Sequence, residues 1–132
     1  MDKKTLAFKI GARTETIQVP SGNLLDVLEP NKVRSAHTGA DAIRFALKNP
    51  IGTPCLGEII RPGEKIAVVT SDITRPMPTW EVMPALLEEL YAAGVSPEDI
   101  TLVFALGSHR AQTDEEKRRL AGERAWREIR CV

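Results

Sequence analysis

The chain breaks twice in the same manner, and that repetition restricts its fold more than any other feature. An apolar, β-branched run, Ile66-Ala67-Val68-Val69-Thr70, gives way abruptly to the polar loop Ser71-Asp72-Ile73-Thr74-Arg75-Pro76. After a helix-patterned segment a second run, Thr101-Leu102-Val103-Phe104-Ala105-Leu106, gives way to Gly107-Ser108-His109-Arg110. Strand, helix, strand in that order is a βαβ unit, here over residues 65–106, and its crossover is right-handed in nearly all proteins. Both loops then leave the same edge of one parallel sheet, the carboxyl edge at which open α/β sheets bind ligands. Asp72, Arg75 and His109 are therefore expected to line one crevice, with Arg110 beside them.

The rest of the chain is read around this unit. Leu6, Phe8 and Ile10 alternate with polar or small residues, and after Gly11-Ala12-Arg13 a second alternation puts Ile17 and Val19 on one face. Residues 1–20 thus read as an antiparallel β-hairpin with one face on the core, ended by Pro20-Ser21-Gly22. Leu24 to Leu28 form a short apolar patch consistent with a strand or a helical turn. Residues 38–48 have helical spacing, with Thr38 and Asp41 placed as a capping box and Asn49-Pro50 as the stop. His37, just before this helix, reads as a solvated or capping residue, and Pro54 to Pro62 as a connector. Pro76 and Pro78 are expected to stiffen the first loop. The helix after it carries a stripe of Val82, Leu86, Leu90 and Ala93, with Leu87 beside it; it either starts late, with Pro84 in its first turn, or is kinked there. Gly94 suits its C-terminus. Thr113 with Glu116 is a second capping box, opening a short helix through Leu120 that Gly122 interrupts. Trp126, Ile129 and Val132 then recur at helical spacing with nothing left to pack on, as in a chain cut from something longer.

A length of 132 residues, 42% of them apolar, suits one α/β domain over residues 1–132 with a single core. Eighteen basic residues balance eighteen acidic ones, so no chain-wide attraction to nucleic acid or an anionic membrane exists, and anion binding must be local. No run approaches the roughly 20 apolar residues of a membrane span, and the reading is a cytoplasmic protein. Cys55 and Cys131 show neither a disulfide framework nor metal spacing and read as reduced thiols. GxxxxGK[ST], GxGxxG and GxSxG are all missing, and two histidines cannot close a metal site unaided.

The two loops nevertheless bring useful chemistry to one edge. Arg75 presents a planar cationic fork that matches a carboxylate or phosphate bidentately. Asp72 can pin that fork, forming a loop-internal ion pair, or accept a ligand hydroxyl. His109, with an ordinary pKa near ~6.5 for its residue type, can exchange protons at neutral pH, or it can merely cap the next segment of chain.

These residues resemble the N-terminal part of the nickel-dependent lactate racemase family. The resemblance is carried by Ser71-Asp72-Ile73-Thr74-Arg75-Pro76, by the Leu-rich helix closing on Ala93-Gly94-Val95, and by Ala105-Leu106-Gly107-Ser108-His109-Arg110 followed by Thr113-Asp114-Glu115-Glu116. Asn49-Pro50-Ile51-Gly52 adds to it, and almost the whole chain is covered.

The resemblance implies a Rossmann-like parallel βαβ core behind an N-terminal hairpin, as part of a larger two-domain enzyme. It implies inversion of a 2-hydroxy acid with a nickel pincer nucleotide, a modified pyridinium mononucleotide carried covalently on a lysine. A histidine removes the substrate hydroxyl proton while hydride passes from the substrate carbon to the cofactor, and hydride returns to either face. His109 matches one of two catalytic histidines, Arg75 an arginine at the substrate or cofactor anion, and Asp72 the aspartate accompanying it. Thr74, Ser108 and Arg110 of the same loops are counted with Asp72 and Arg75 as substrate- or cofactor-binding. The family's second catalytic histidine, its lysine and its nickel-binding histidine lie farther along a longer chain, so this chain is expected to hold half a site and no metal or cofactor alone. Its expected partners are a small 2-hydroxy acid and the remainder of the enzyme chain. The other reading is a non-catalytic α/β module that binds an anionic ligand or a partner chain at the same edge.

Overall fold

In the computed structural model, which describes residues 2–75 and 77–132, the chain forms two compact units that divide between Arg34 and Ser35. The first is built on a hairpin of β1 (Lys3–Ile10) and β2 (Arg13–Pro20), antiparallel, with Ile10 opposite Arg13 and Lys3 opposite Pro20. Gly11 opens the two-residue turn at φ 60°, a backbone conformation that hairpin turns assign to glycine because a Cβ is strained there. At the open end the Ser21 amide and hydroxyl both donate to Asp2. Leu6 stands opposite Ile17, as the alternation requires, but the expected burial does not follow. Phe8, Ile10 and Ile17 remain 47%, 60% and 50% exposed, because two strands have no second layer with which to cover their own apolar face. The Leu24 to Leu28 patch is neither strand nor helix: after a single 3-10 turn over Ser21–Asn23 no regular element forms before Gly39, and Leu25 and Leu28 are exposed.

The second unit is a three-stranded parallel sheet with helices. Its elements are α1 (Gly39–Lys48), α2 (Leu56–Ile59), β3 (Ile66–Ser71), α3 (Thr79–Ala92), β4 (Ile100–Ala105), α4 (Asp114–Ala121), α5 (Glu123–Glu128) and β5 (Arg130–Cys131). The strand order is β3-β4-β5, and Ile66 to Ser71 run level with Ile100 to Ala105. This is the α/β architecture read from the chain, a parallel βαβ core preceded by an antiparallel hairpin. Period-two alternation along β4 sends Ile100, Leu102 and Phe104 into the core. There they meet Met83, Leu87 and Leu90 of α3, Leu120 and Ala121 of α4, Ala125 of α5 and Ile129. A side chain as fully enclosed as Leu102 contributes about 1.5–3 kcal/mol.

Three local expectations change. The buried stripe of α3 is Met83, Leu87 and Leu90, while Val82 and Leu86 are only half-buried. The helix touches α1 and α2 as well as α4 and α5, so a broad sector is covered rather than one line. It begins at Thr79, not late, and carries Pro84 inside it. The Thr79 hydroxyl shares a buried 2.6 Å hydrogen bond with Thr70 at the end of β3, which ties the helix start to the strand. At the far end, Trp126 and Ile129 do not extend a helix toward Val132. The chain turns into β5, Ile129 is buried and Trp126 packs against the core, while Val132 stays 42% exposed with its amide donating to the Leu102 carbonyl at 2.9 Å. The connector after Pro54 holds the short α2, with the Glu58 carboxylate accepting from the Cys55 amide.

Pro76 and its expected stiffening of the first loop lie outside the described residues; Pro78 is the residue before α3. At the N-terminus of α1, Asp41 does not complete a box with Thr38 but accepts from the His37 ring at 2.6 Å, and that ring stacks on Phe45. Among the described residues no helix is long and apolar enough to cross a membrane.

Candidate active site

Parallel pairing of β3 with β4 brings the two strand ends level, Ser71 beside Ala105, and the loops that follow meet. The first is a tight turn in which Asp72 serves as its own scaffold. Its carbonyl accepts from the Arg75 amide at 3.1 Å, while carboxylate Oδ1 accepts from the Thr74 amide at 2.8 Å and the Thr74 hydroxyl at 2.6 Å. In the second loop Gly107 takes φ 59° and the His109 amide donates back to the Leu106 carbonyl at 3.0 Å. This turn swings the imidazole over the first loop, where Nδ1 bonds to the remaining Asp72 oxygen, Oδ2.

Burial differs sharply across that contact. The Asp72 side chain is 4% exposed and that of His109 45%. The Thr74 hydroxyl, then His109 and the Thr74 amide hold the Asp72 carboxyl down at about 2, so it is ionised at neutral pH. An ionised carboxylate can only accept, which makes Nδ1 the donor and leaves Nε2 of the neutral ring as a lone-pair acceptor. A buried acid orienting a partly exposed imidazole is the arrangement of a general base.

Beside this pair lies a recess of about 50 Å³ lined by Asp72, Ile73, Thr74, His109, Arg110 and Gln112. Of the residues expected at the edge, Asp72, Thr74, His109 and Arg110 are brought together here. Arg75 and Ser108 are exposed and outside the lining. An Asp72–Arg75 ion pair does not form; the carboxylate is used by Thr74 and His109, and among the described residues the Arg75 guanidinium has no carboxylate partner. Arg110, by contrast, grips Glu116 with both prongs at 2.6 and 2.8 Å. That contact and the Thr113 amide pull the Glu116 carboxyl down to about 2. Glu116 also completes the capping box of α4, so Arg110 ties the second loop to that helix. His37 stands outside the recess on its own contacts.

Reasoning from the sequence passed over Gln112. It lies between Ala111 and the N-cap Thr113, three residues after His109, and neither its residue type nor its spacing marked it. It is 8% exposed. Among the described residues no three His, Cys, Asp or Glu side chains stand together as a metal site.

Comparison with known proteins places the chain in a family. Residues 10–132 match the family described as the lactate racemase N-terminal domain. A lactate racemase from Thermoanaerobacterium thermosaccharolyticum is 36% identical over 83 residues, a match covering 63% of this chain and 19% of that protein. One from Lactiplantibacillus plantarum is 38% identical over 77 residues, covering 58% and 18%. The solved structure of the lactate racemase apoprotein from T. thermosaccharolyticum superposes with a TM-score of 0.75 at 25% identity, over 98% of this chain and 30% of that one. The matches thus take in less than a third of the relatives' length. With the family model covering all but the first residues, this chain belongs to the lactate racemase N-terminal domain family.

Proposed function

We propose that this chain supplies the proton-handling half of a racemase or epimerase acting on a small 2-hydroxy acid. The single observation that carries the proposal is the Asp72–His109 pair at the mouth of the recess. In this reading Nε2 of His109 takes the C2 hydroxyl proton of the substrate as the hydroxyl carbon is oxidised, and returns it when the carbon is reduced on either face. Asp72 stabilises the imidazolium formed in between and fixes the ring tautomer. Arg75, whose fork is not engaged by a carboxylate among the described residues, holds the substrate carboxylate.

The nickel pincer nucleotide implied by the resemblance does not fit on the described residues alone, because they assemble no metal donor set. The remaining parts of the site, including whatever accepts hydride, are assigned in this proposal to the rest of a longer enzyme, consistent with the share of the relatives that the matches cover.

The test is racemisation of lactate and related acids by the full-length enzyme with and without His109→Ala. A general base contributes roughly 10²- to 10⁴-fold, and the variant is expected to lose that much kcat while keeping its metal content. Full activity in the variant would favour a non-catalytic anion-binding module; loss of metal together with activity would make His109 a ligand or a structural residue.

A further inference from the structure

Thr74 governs which way the Asp72 carboxylate faces. A carboxylate turns about its last torsion with little staggering preference, so its plane is set by the hydrogen bonds it accepts. Oδ1 of Asp72 takes two from a single residue, the Thr74 amide at 2.8 Å and the Thr74 hydroxyl at 2.6 Å, and Oδ2 takes one from the His109 ring. The amide bond belongs to the turn and needs only backbone, so any residue but proline at 74 could supply it. The hydroxyl bond requires threonine or serine.

An ionised carboxylate only accepts, so the one hydroxyl proton of Thr74 is committed to Asp72 and is not offered to a ligand. Thr74, counted from the sequence among substrate- or cofactor-binding residues, lines the recess but spends its donor on the carboxylate. Among the described residues no other side chain shares this task. The cationic side chains of the two loops do not bond to Asp72: Arg110 is closed on Glu116, and Arg75 lies outside the lining. With the Asp72 side chain only 4% exposed, water has little access to replace the hydroxyl.

We propose that Thr74 is a positioning residue, whose hydroxyl fixes the plane of the Asp72 carboxylate so that Oδ2 holds the Nδ1 proton of His109 and Nε2 stays free of it. The proposal rests on the racemase reading for its effect on turnover and on the geometry of the pair for its effect on the ring. Without the hydroxyl, Oδ1 keeps one bond and the carboxylate can swing. The imidazole, nearly half exposed, then exchanges its proton with water and shares it between both nitrogens. A ring protonated on Nε2 cannot accept a hydroxyl proton there, so the competent fraction falls while contacts to the substrate are unchanged.

Thr74→Val keeps the shape of the side chain and removes the hydroxyl, and Thr74→Ser keeps the hydroxyl. In the full-length, cofactor-loaded enzyme assayed with lactate and related acids, Thr74→Val should lower kcat roughly 3- to 10-fold, the range of one hydrogen bond, with KM changed less than about twofold. Thr74→Ser should recover most of the loss. A second readout needs no turnover: full-length apoprotein labelled with ¹⁵N-histidine reports the protonation of each ring nitrogen, and the His109 signals are identified by their loss in His109→Gln. At about pH 9, well above the ordinary imidazole range, wild type should show Nδ1 protonated and Nε2 bare. Thr74→Val should move the two nitrogen shifts toward each other, and Thr74→Ser should separate them again. Thermal denaturation shows that each variant is folded. A raised KM with kcat and the ring signals unmoved would make Thr74 a substrate contact, and lost stability with neither changed would make it structural; either result overturns the proposal. If wild type turns over no 2-hydroxy acid while the ring signals move as expected, the racemase reading fails and Thr74 still sets the pair.

Discussion

Replacing Asp72 by Asn is the sharpest probe of the site, because it keeps the side chain's shape and removes only its charge. In the wild type Oδ1 takes two hydrogen bonds from Thr74 and Oδ2 one from His109, and these hold the carboxyl at about 2, below its ordinary 3.8. A carboxyl depressed on folding adds stability that is complete above its unfolded pKa and is lost as pH falls through the folded one, so the relevant window runs from 3.8 down to about 2. Within it, unfolding of the wild type takes up as much as about one proton at this site, and the Asn variant takes up none there. Urea midpoints measured from pH 5 to pH 2 should therefore fall less steeply for Asp72→Asn. Catalysis gives a second, independent magnitude. Losing the buried acid of a well-enclosed triad lowers kcat by about 10⁴ through the wrong imidazole tautomer. His109 is nearly half exposed, water can replace part of that orientation, and a loss of roughly 10²- to 10³-fold is expected here in the full-length enzyme. An unchanged acid limb together with unchanged kcat would refute both the ionised Asp72 and its partnership with His109.

Other substitutions separate structural from functional roles. Gly122 joins α4 to α5 at φ 80°, and a Cβ there would stand 3.1 Å from Cα and Cβ of Trp80, so Gly122→Ala should cost roughly 2–5 kcal/mol in urea unfolding from backbone strain and overpacking together. A cost under about 0.5 kcal/mol, the range of an ordinary surface change, would mean the junction can relax. Arg75→Lys should raise KM for the hydroxy acid with little change in thermal stability, since charge is kept and the fork lost. Arg110→Lys should instead lower the melting temperature slightly and leave KM the less affected of the two, because its fork is spent on Glu116. Steady-state kinetics beside thermal melts on both variants tests the contrast, and a reversed pattern would exchange the two assignments.

The parts of the fold that were legible were those in which local chemistry and tertiary packing agree. The apolar runs at residues 66–70 and 101–106 became paired parallel strands, Gly11 turned the hairpin, Gly94 at φ 85° ended α3, and the Thr113–Glu116 box opened α4. What escaped depended on contacts between elements. Met83 is indistinguishable from Val82 until helices pack on several sides of α3. Proline at 84 left a late start or a kink open, and the helix in fact begins at Thr79, where a hydrogen bond to Thr70 ties it to β3. Two residues of β5 carry no periodic signal, and it is the parallel pairing of Arg130 with Thr101 and Cys131 with Leu102 that makes them a strand.

The site shows the same division more sharply. Residue type told what each side chain can do, but not what it is already doing. Two arginines in matching loops offered the same anion-binding fork, and the structure gives Arg110 a permanent carboxylate in Glu116 while Arg75 has none among the described residues. Asp72, expected either to pin an arginine or to meet a ligand, is consumed by Thr74 and His109, which turns it from a binding residue into the group that sets the imidazole. Gln112 carried no chemical signal at all, because a glutamine before a helix cap is ordinary until it is buried without a partner. The proposed function therefore rests on hydrogen-bonding capacity left over after folding. Among the described residues lining the recess, Nε2 of His109 is left without a partner, which is the capacity the proposed proton transfer would use.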